Sequence, residues 1–458
     1  MSMLKIRGRK KNGKKRRNKT NKTKKILQLP YLPQNVMEEI FHRLPYKAMV
    51  RFRLVCKTWN SITSSPIFMD DHYNRLSVEG THLILLHLKR GREFNFYRVS
   101  HSSNVVDDLS SSSTAVPLED YKTWGMSKYT LPRLIGSYNG IVAVSCQDDK
   151  LVLWNPITGQ HTSVKMSVYD LHSDFNSFNP RLLFGLCYDS NTDEYNVVVG
   201  SDYQSPPVTP SNYDYDDLDY ESIPVFLYSF KDGSERVLRS ALSRRLLDRK
   251  LFIGESGKVI RGIPHWVVQF YDFGDDSGVE TEILYFDLKE EKFNQMARPD
   301  CGVDKTMLGL AAMDGENQLG CVLHDVANTS LEVWVMKEYG NVETWTNLFI
   351  IPYENVSVNV GGTLRYMDVL GFMPSGELLL YLNDEKLWGY NVEKGNSREV
   401  KLQDGIEFSF VITFQPKFIS PPKSTKEPSD KTQNEIRGSS SEEETENETN
   451  DLSSEDYR

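Results

Sequence analysis

The sequence predicts two folded parts in series, a small helical module followed by an all-β, propeller-like domain, with a disordered tail at each end. Three observations lead there. From Leu32 to about Asp71 the apolar residues recur at helical spacing. From about His82 to Pro416 they fall in short or alternating runs bounded by Gly, Asn, Asp and Pro, the punctuation of strands and turns. The net charge of −9 is segregated, with a basic segment at one end and an acidic one at the other. The expected divisions are 1–27 (basic tail), 28–75 (helical module), 80–418 (β-domain) and 419–458 (acidic tail).

At 458 residues, 39% apolar and 26% charged, the chain has the length and balance for more than one core. Its longest apolar runs, such as Leu83–Leu88, have strand length, so no membrane span of roughly 18 residues is expected. No apolar stretch with a small-residue cleavage site follows the basic N-terminus, so secretion is not expected either. Five scattered cysteines (Cys56, Cys146, Cys187, Cys301, Cys321) form no C-x-x-C pair. They imply reduced thiols in the nucleus or cytoplasm, without a zinc site or disulfide framework.

The segment Lys5–Lys25 has almost no apolar residues and cannot bury enough surface to fold. Its run Lys14, Lys15, Arg16 and Arg17 is a nuclear-import candidate; the alternatives are an electrostatic arm for nucleic acid and a merely solvated tail. The tail at the other end, with Ser439–Ser441 followed by glutamates, reads as a solvating acidic segment.

In the helical module, Val36, Met37, Ile40, Phe41 and Leu44 make one apolar stripe on a helix of about ten residues. Asn35 is positioned to cap it, with Glu38 completing a capping box and Glu38 and Glu39 near the positive end of the helix dipole. Leu44-Pro45 stops it. A second helical pattern carries Ala48, Met49, Phe52, Val55, Cys56 and Trp59, and Ser65-Pro66 closes the unit. About forty residues with this much apolar surface make a poor independent domain, so part of the surface is expected to serve a partner or the following domain. A three-helix cap on the β-domain and a helix-turn-helix are the alternatives.

The run from Leu32-Pro33 through Glu39-Ile40, Arg43-Leu44-Pro45 and Val55-Cys56-Lys57 to Trp59 resembles an F-box nearly end to end. The resemblance implies binding to a Skp-type adaptor and, through it, to a cullin–RING ubiquitin ligase. Carried over by position, Leu32, Pro33, Val36, Ile40, Leu44, Pro45, Leu54, Val55 and Trp59 would form the core and adaptor face. Asn35 stands where that family usually has Asp, and Phe41 where Leu is common.

In the β-domain a loose unit recurs: an aromatic, then Asn or Asp, a polar turn, and another strand. It appears at Leu153-Trp-Asn-Pro-Ile-Thr-Gly159, Cys187–Asp193, Tyr228–Gly233, Tyr285–Glu290 and Gly389–Lys394. Spacings of roughly 35 to 60 residues are near those of a four-stranded blade. A propeller is expected, because it hides strand edges and leaves loops for binding; a β-sandwich pair is the alternative. Ser201–Ser222 reads as a long acidic loop and Ser100–Ser113 as a polar one. The ordered set of Gly136-Ser-Tyr-Asn-Gly140, Leu153-Trp-Asn-Pro156, Phe184–Asp189, Gly262–Trp266, Ile283–Leu288 and Leu331–Gly340 resembles the F-box-associated domain of plant F-box proteins. That resemblance implies recruitment of an unknown protein substrate and assigns no residues that contact it.

Enzyme signatures are decoys. Gly254-Glu-Ser-Gly-Lys258 lacks the first glycine and the Ser/Thr of a phosphate loop, and a strand follows it where a helix is required. His265 beside Trp266 reads as a packed core residue, and the remaining histidines lack metal-ligand spacing. No cofactor or metal, no membrane and no nucleic-acid partner is expected. The reading is a substrate-recognition subunit of an SCF-type ligase without chemistry of its own. The alternative is a non-ligase β-propeller scaffold or a nuclear RNA-associated protein using Lys5–Lys25.

Overall fold

The computed structural model describes residues 32–44, 46–65, 67–69, 71–72, 82–89, 93–101, 113–118, 122, 124, 132–146, 150–166, 182–201, 222–243, 250–270, 280–302, 305–355, 367–373, 375–382, 386–400, 409–417 and 419–422. The basic segment with Lys14–Arg17, the inner parts (102–112 and 202–221) of the loops expected at Ser100–Ser113 and Ser201–Ser222, Pro45 and the acidic tail from 423 lie outside them, while Ser100, His101, Ser113, Ser201 and Ser222 belong to strands.

Three helices open the described chain: α1 (Gln34–His42), α2 (Tyr46–Arg53) and α3 (Lys57–Thr63). Two expectations are corrected here. Pro33, not Asn35, holds the N-cap position of α1; no side chain caps it, and the Pro33 carbonyl accepts from the amides of Val36 and Met37 at 3.0 and 3.1 Å. The fixed φ of proline starts the helix two residues earlier. Glu38 and Glu39 therefore lie past the first turn and make i,i+4 contacts with Gln34 and Arg43. The second helical pattern is also two helices. After Arg53 the chain turns through Leu54 and Val55, and Cys56 is extended (φ −159°, ψ 165°), its Sγ accepting from the Trp59 amide at 3.5 Å. Beyond Ser65-Pro66, where the module was expected to close, the helical residues 67–69 and 71–72 supply the buried Phe68 and His72.

The β-domain is a closed ring of four-stranded antiparallel units, six among the described residues. The first is β1 (His82–Lys89), β2 (Glu93–His101) and β3 (Ser113–Leu118), and it is completed from the far end of the chain. The second is β4 (Arg133–Tyr138), β5 (Ile141–Cys146), β6 (Lys150–Trp154) and β7 (His161–Lys165). The third is β8 (Leu182–Asp189), β9 (Glu194–Ser201), β10 (Ser222–Ser229) and β11 (Glu235–Ser243). The fourth is β12 (Lys250–Ile260), β13 (Ile263–Phe270), β14 (Glu280–Asp287) and β15 (Lys292–Met296). The fifth is β16 (Lys305–Met313), β17 (Gln318–Asp325), β18 (Ser330–Met336) and β19 (Trp345–Pro352). The sixth is β20 (Met367–Phe372), β21 (Leu378–Leu382), β22 (Lys386–Asn391) and β23 (Asn396–Glu399). Finally β24 (Phe410–Thr413) pairs with β1 in the register Leu83↔Thr413 to Leu86↔Phe410 and becomes the inner strand of the first unit.

The inner strands β24, β4, β8, β12, β16 and β20 each approach the next, and β20 returns to β24. This is a six-bladed propeller, and the sandwich alternative is set aside. Each blade is apolar on both faces because it packs against two neighbours. Val197, Phe226 and Tyr228 of the third blade face the second, while Val198, Leu227 and Val225 face the fourth. Inner strands converge on the axis, and there the sequence places glycines 136, 185, 257, 309 and 371. A Cβ on Gly185 would lie 2.7 Å from the ring of Pro264, and one on Gly309 would overlap the backbone carbonyl of Met367 in the next blade.

Candidate functional site

The helical module builds its own small core from Met37, Phe41, Met49, Ile62 and Phe68, each contributing roughly 1.5–3 kcal/mol by burial. Phe41, Phe52 and Trp59 form an aromatic cluster: Phe41–Trp59 is edge-on at 5.1 Å, and Phe52–Trp59 is stacked at 4.9 Å. His72 ties the end of the module to the Leu44 carbonyl at 3.0 Å, and Arg53 donates to the Thr63 carbonyl at 2.7 Å.

Part of what that core leaves outside is apolar. The single stripe of α1 divides: Met37 and Phe41 turn inward, while Leu32, Val36 and Ile40 stay exposed. Leu54 is 85% exposed and Val55 61%, both on the turn between α2 and α3, and Ile67 is 78% exposed. Isolated exposed apolar residues are ordinary; here six fall within one forty-residue module. Of the residues singled out from the sequence, Leu32, Pro33, Val36, Ile40, Leu54 and Val55 are exposed on this module. Leu44 and Trp59 are half-buried and support the core, and Pro45 lies outside the described residues.

Near the centre of the propeller, polar side chains bridge blades, several of them non-neighbouring. Lys258 of the fourth blade pairs with Asp368 of the sixth, both largely buried. Ser256 donates to the Leu134 carbonyl of the second blade at 2.7 Å. Ser137 reaches the Thr413 carbonyl at 2.5 Å and the Glu316 carboxylate at 3.4 Å. The segment that looked like a phosphate loop, Gly254–Lys258, thus lies inside β12, where Ser256 and Lys258 make the contacts just described and a Cβ at Gly257 would meet the Trp266 ring at 2.8 Å. His265 is buried between the Ile263 carbonyl and the Tyr339 hydroxyl, both at 2.8 Å, and burial pulls its pKa down to about 4. It is a neutral core residue. Among the described residues, no group of three or more His, Cys, Asp or Glu is placed to hold a metal, and no helix is long and apolar enough to cross a membrane.

Residues 91–416 match the family model described as the F-box associated beta propeller domain, and residues 29–71 match the F-box domain model. The chain belongs to the F-box proteins with an F-box-associated propeller. Among its relatives are the Arabidopsis thaliana F-box protein CPR1 and F-box/kelch-repeat protein At3g23880. CPR1 is 27% identical over 386 residues, 81% of this chain and 85% of that protein. At3g23880 is 26% identical over 326 residues, 70% of this chain and 79% of that protein.

Two features of this F-box protein escaped sequence reasoning. The first is a strap, residues 414–422, that runs on from β24 with Phe414, Gln415 and Pro421 buried. Asn155 clamps it, donating to the carbonyls of Lys417 at 2.8 Å and Ile419 at 2.6 Å, and Gln415 donates to the Gly315 carbonyl. Lys417 reaches the Asn139 side chain at 2.9 Å, and the strap lies so close to the β4–β5 turn that a Cβ on Gly140 (φ +81°) would sit 2.7 Å from that of Lys417. Among the described residues, packing therefore continues through Pro421, past the expected domain end at 418.

The second is Glu316, in the β16–β17 turn at φ 73°. Its carboxylate crosses to the second blade, accepting from the Asn139 amide at 3.3 Å, and its own carbonyl accepts from the Arg261 amide at 2.8 Å. Burial pushes its pKa up to about 8, against the pull of the Asn139 amide, Lys417, Ser137 and Lys258. In sequence it was one more polar turn residue in Asp314-Gly-Glu-Asn317, and no local signal marks it as buried.

Proposed function

We propose that this F-box protein is the substrate-recognition subunit of an SCF-type (Skp–cullin–F-box) ubiquitin ligase. The F-box engages a Skp-type adaptor and through it the cullin–RING assembly, and the propeller holds a target protein. The chain contributes binding and orientation, and ubiquitin transfer belongs to the partner subunits. It works in the nucleus, the cytoplasm or both, with Lys14, Lys15, Arg16 and Arg17 as the import candidate.

The observation that carries this reading is the set of exposed apolar side chains on the module: Leu32, Val36, Ile40, Leu54, Val55 and Ile67. Apolar surface removed from water is worth about 25 cal/mol per Å², so a partner that covers these six side chains gains several kcal/mol before the cost of association. Leu54 and Val55 stand clear of the module's own core, so the Leu54→Asp, Val55→Asp double variant leaves the fold intact. It would bury two unpaired carboxylates on binding, a loss of at least about 100-fold in affinity. Co-purification with a Skp-type adaptor is the test. Retention by wild type and loss in the double variant support the reading. Equal retention moves the interface elsewhere, and binding by neither favours the non-ligase scaffold.

A further inference from the structure

We propose that Ile157 is the positioning residue that fixes the F-box against the propeller, so that the adaptor-bound end and the target-binding end of the receptor keep one relative orientation. The functional consequence rests on the receptor reading above; the joint itself does not.

Among the described residues, Ile157 is the propeller side chain that packs into the apolar cluster of the F-box, beside Met37, Phe41, Met49, Ile62 and Phe68. It packs at the same time against the cluster shared by the first and second blades, which holds Phe96, Trp124 and Trp154. One side chain thus belongs to both cores.

It stands on the β6–β7 turn, and that turn is unusually well fixed. Asn155, fully buried, accepts through Oδ1 from the amides of Ile157 at 2.8 Å and Thr158 at 3.2 Å. Its backbone closes the turn with Gln160 and Gly159, each at 2.9 Å. Its Nδ2 clamps the strap carbonyls of Lys417 and Ile419. The same asparagine therefore shapes the turn that carries Ile157 and anchors that turn to the strap that seals the ring.

The arrangement of surfaces agrees. The chain leaves the F-box and enters β1 at the end where β24 leaves for the strap, since Leu83 pairs with Thr413. The module and the strap thus share one side of the propeller. The exposed face of Leu32, Val36, Ile40, Leu54 and Val55 is not the surface that meets Ile157, so an adaptor and the propeller can hold the module from different sides. A flexible tether at this point would let the target wander. A half-buried contact with both clusters at once holds the pair in one orientation.

The test is a distance distribution between two spin labels on the full-length protein, without adaptor. One label is on exposed Cys56 and the other on Glu393→Cys, an exposed position in the sixth blade, in a Cys301→Ser background; Cys146, Cys187 and Cys321 are buried. Wild type at Ile157 and the conservative Ile157→Val give one narrow distribution. Ile157→Asp gives a distribution broader by about twofold or more; the propeller still unfolds cooperatively, at a midpoint lowered by the lost contact with the first- and second-blade cluster, and adaptor binding of the unlabelled protein stays as in wild type. A distribution as narrow in Ile157→Asp as in wild type overturns the proposal, as does one already broad in wild type. If the width responds to Ile157 but the adaptor does not bind, the joint stands and the receptor reading falls.

Discussion

Replacing Glu316 by Gln should remove a pH dependence that the propeller otherwise carries. The carboxyl is buried where the fifth blade crosses to the second, and desolvation pushes its pKa up to about 8 from the usual 4.5. The groups facing it are the Ser137 hydroxyl, the Asn139 amide, and the ammonium groups of Lys417 and Lys258; Tyr138 and Tyr195 nearby have their pKa values raised chiefly by burial, with the Glu316 charge a smaller contribution. Between these two pKa values the folded protein holds a proton that the unfolded chain has released, so stability falls as pH rises. The contribution is fully present below the unfolded pKa and is lost as pH passes the folded one. Integrated from pH 6 to 8, the loss is about 2 kcal/mol. Gln keeps an oxygen for the Asn139 amide and does not titrate. Urea unfolding of both proteins at pH 6, 7 and 8 gives the result: the stability of wild type relative to Glu316→Gln should fall by about 2 kcal/mol across the interval. Parallel curves would refute the claim that this carboxyl is buried and protonated in the folded ring.

Three other substitutions probe the ring. Gly309→Ala should open the seam between the fifth and sixth blades at a cost of about 3 kcal/mol or more, because its Cβ overlaps the Met367 carbonyl; soluble yield and unfolding midpoint report it. Gly340→Ala, at φ +86° with nothing within 4 Å of the added Cβ, is the control and should cost only about 1 kcal/mol of backbone strain. Lys258→Met leaves the buried Asp368 without its ammonium partner and should destabilise by about 3 kcal/mol, more than Lys258→Met combined with Asp368→Asn, as read by denaturant unfolding.

What the sequence made legible was local. The blade unit is written in Leu153-Trp-Asn-Pro156 and its kin because an aromatic, a turn-forming Asn and a following strand lie within a few residues of one another. The helical spacing of Val36 through Leu44 is local in the same way. The finer capping was missed because Pro33 and Asn35 are both able to start a helix, and only the backbone decides which does. The break after Arg53 was missed because Phe52, Val55 and Trp59 keep helical spacing across a turn.

The rest was illegible because it is made at long range. β24 closes the ring on β1 across more than three hundred residues, and Glu316 meets Ser137 across 179. Asn155 meets Lys417 across 262, so its role as a clamp is invisible in the motif that contains it. For the site, the sequence gathered the right module but not its two faces. Leu44 and Trp59 share a pattern with Leu54 and Val55, and only burial separates support from surface.

The most direct test of the account is a calorimetric titration of a purified Skp-type adaptor into the full-length chain. The account predicts one adaptor per chain, submicromolar affinity and a negative heat-capacity change from apolar burial, all abolished in Leu54→Asp, Val55→Asp. No binding to the wild-type chain, or equal binding to both proteins, would contradict it.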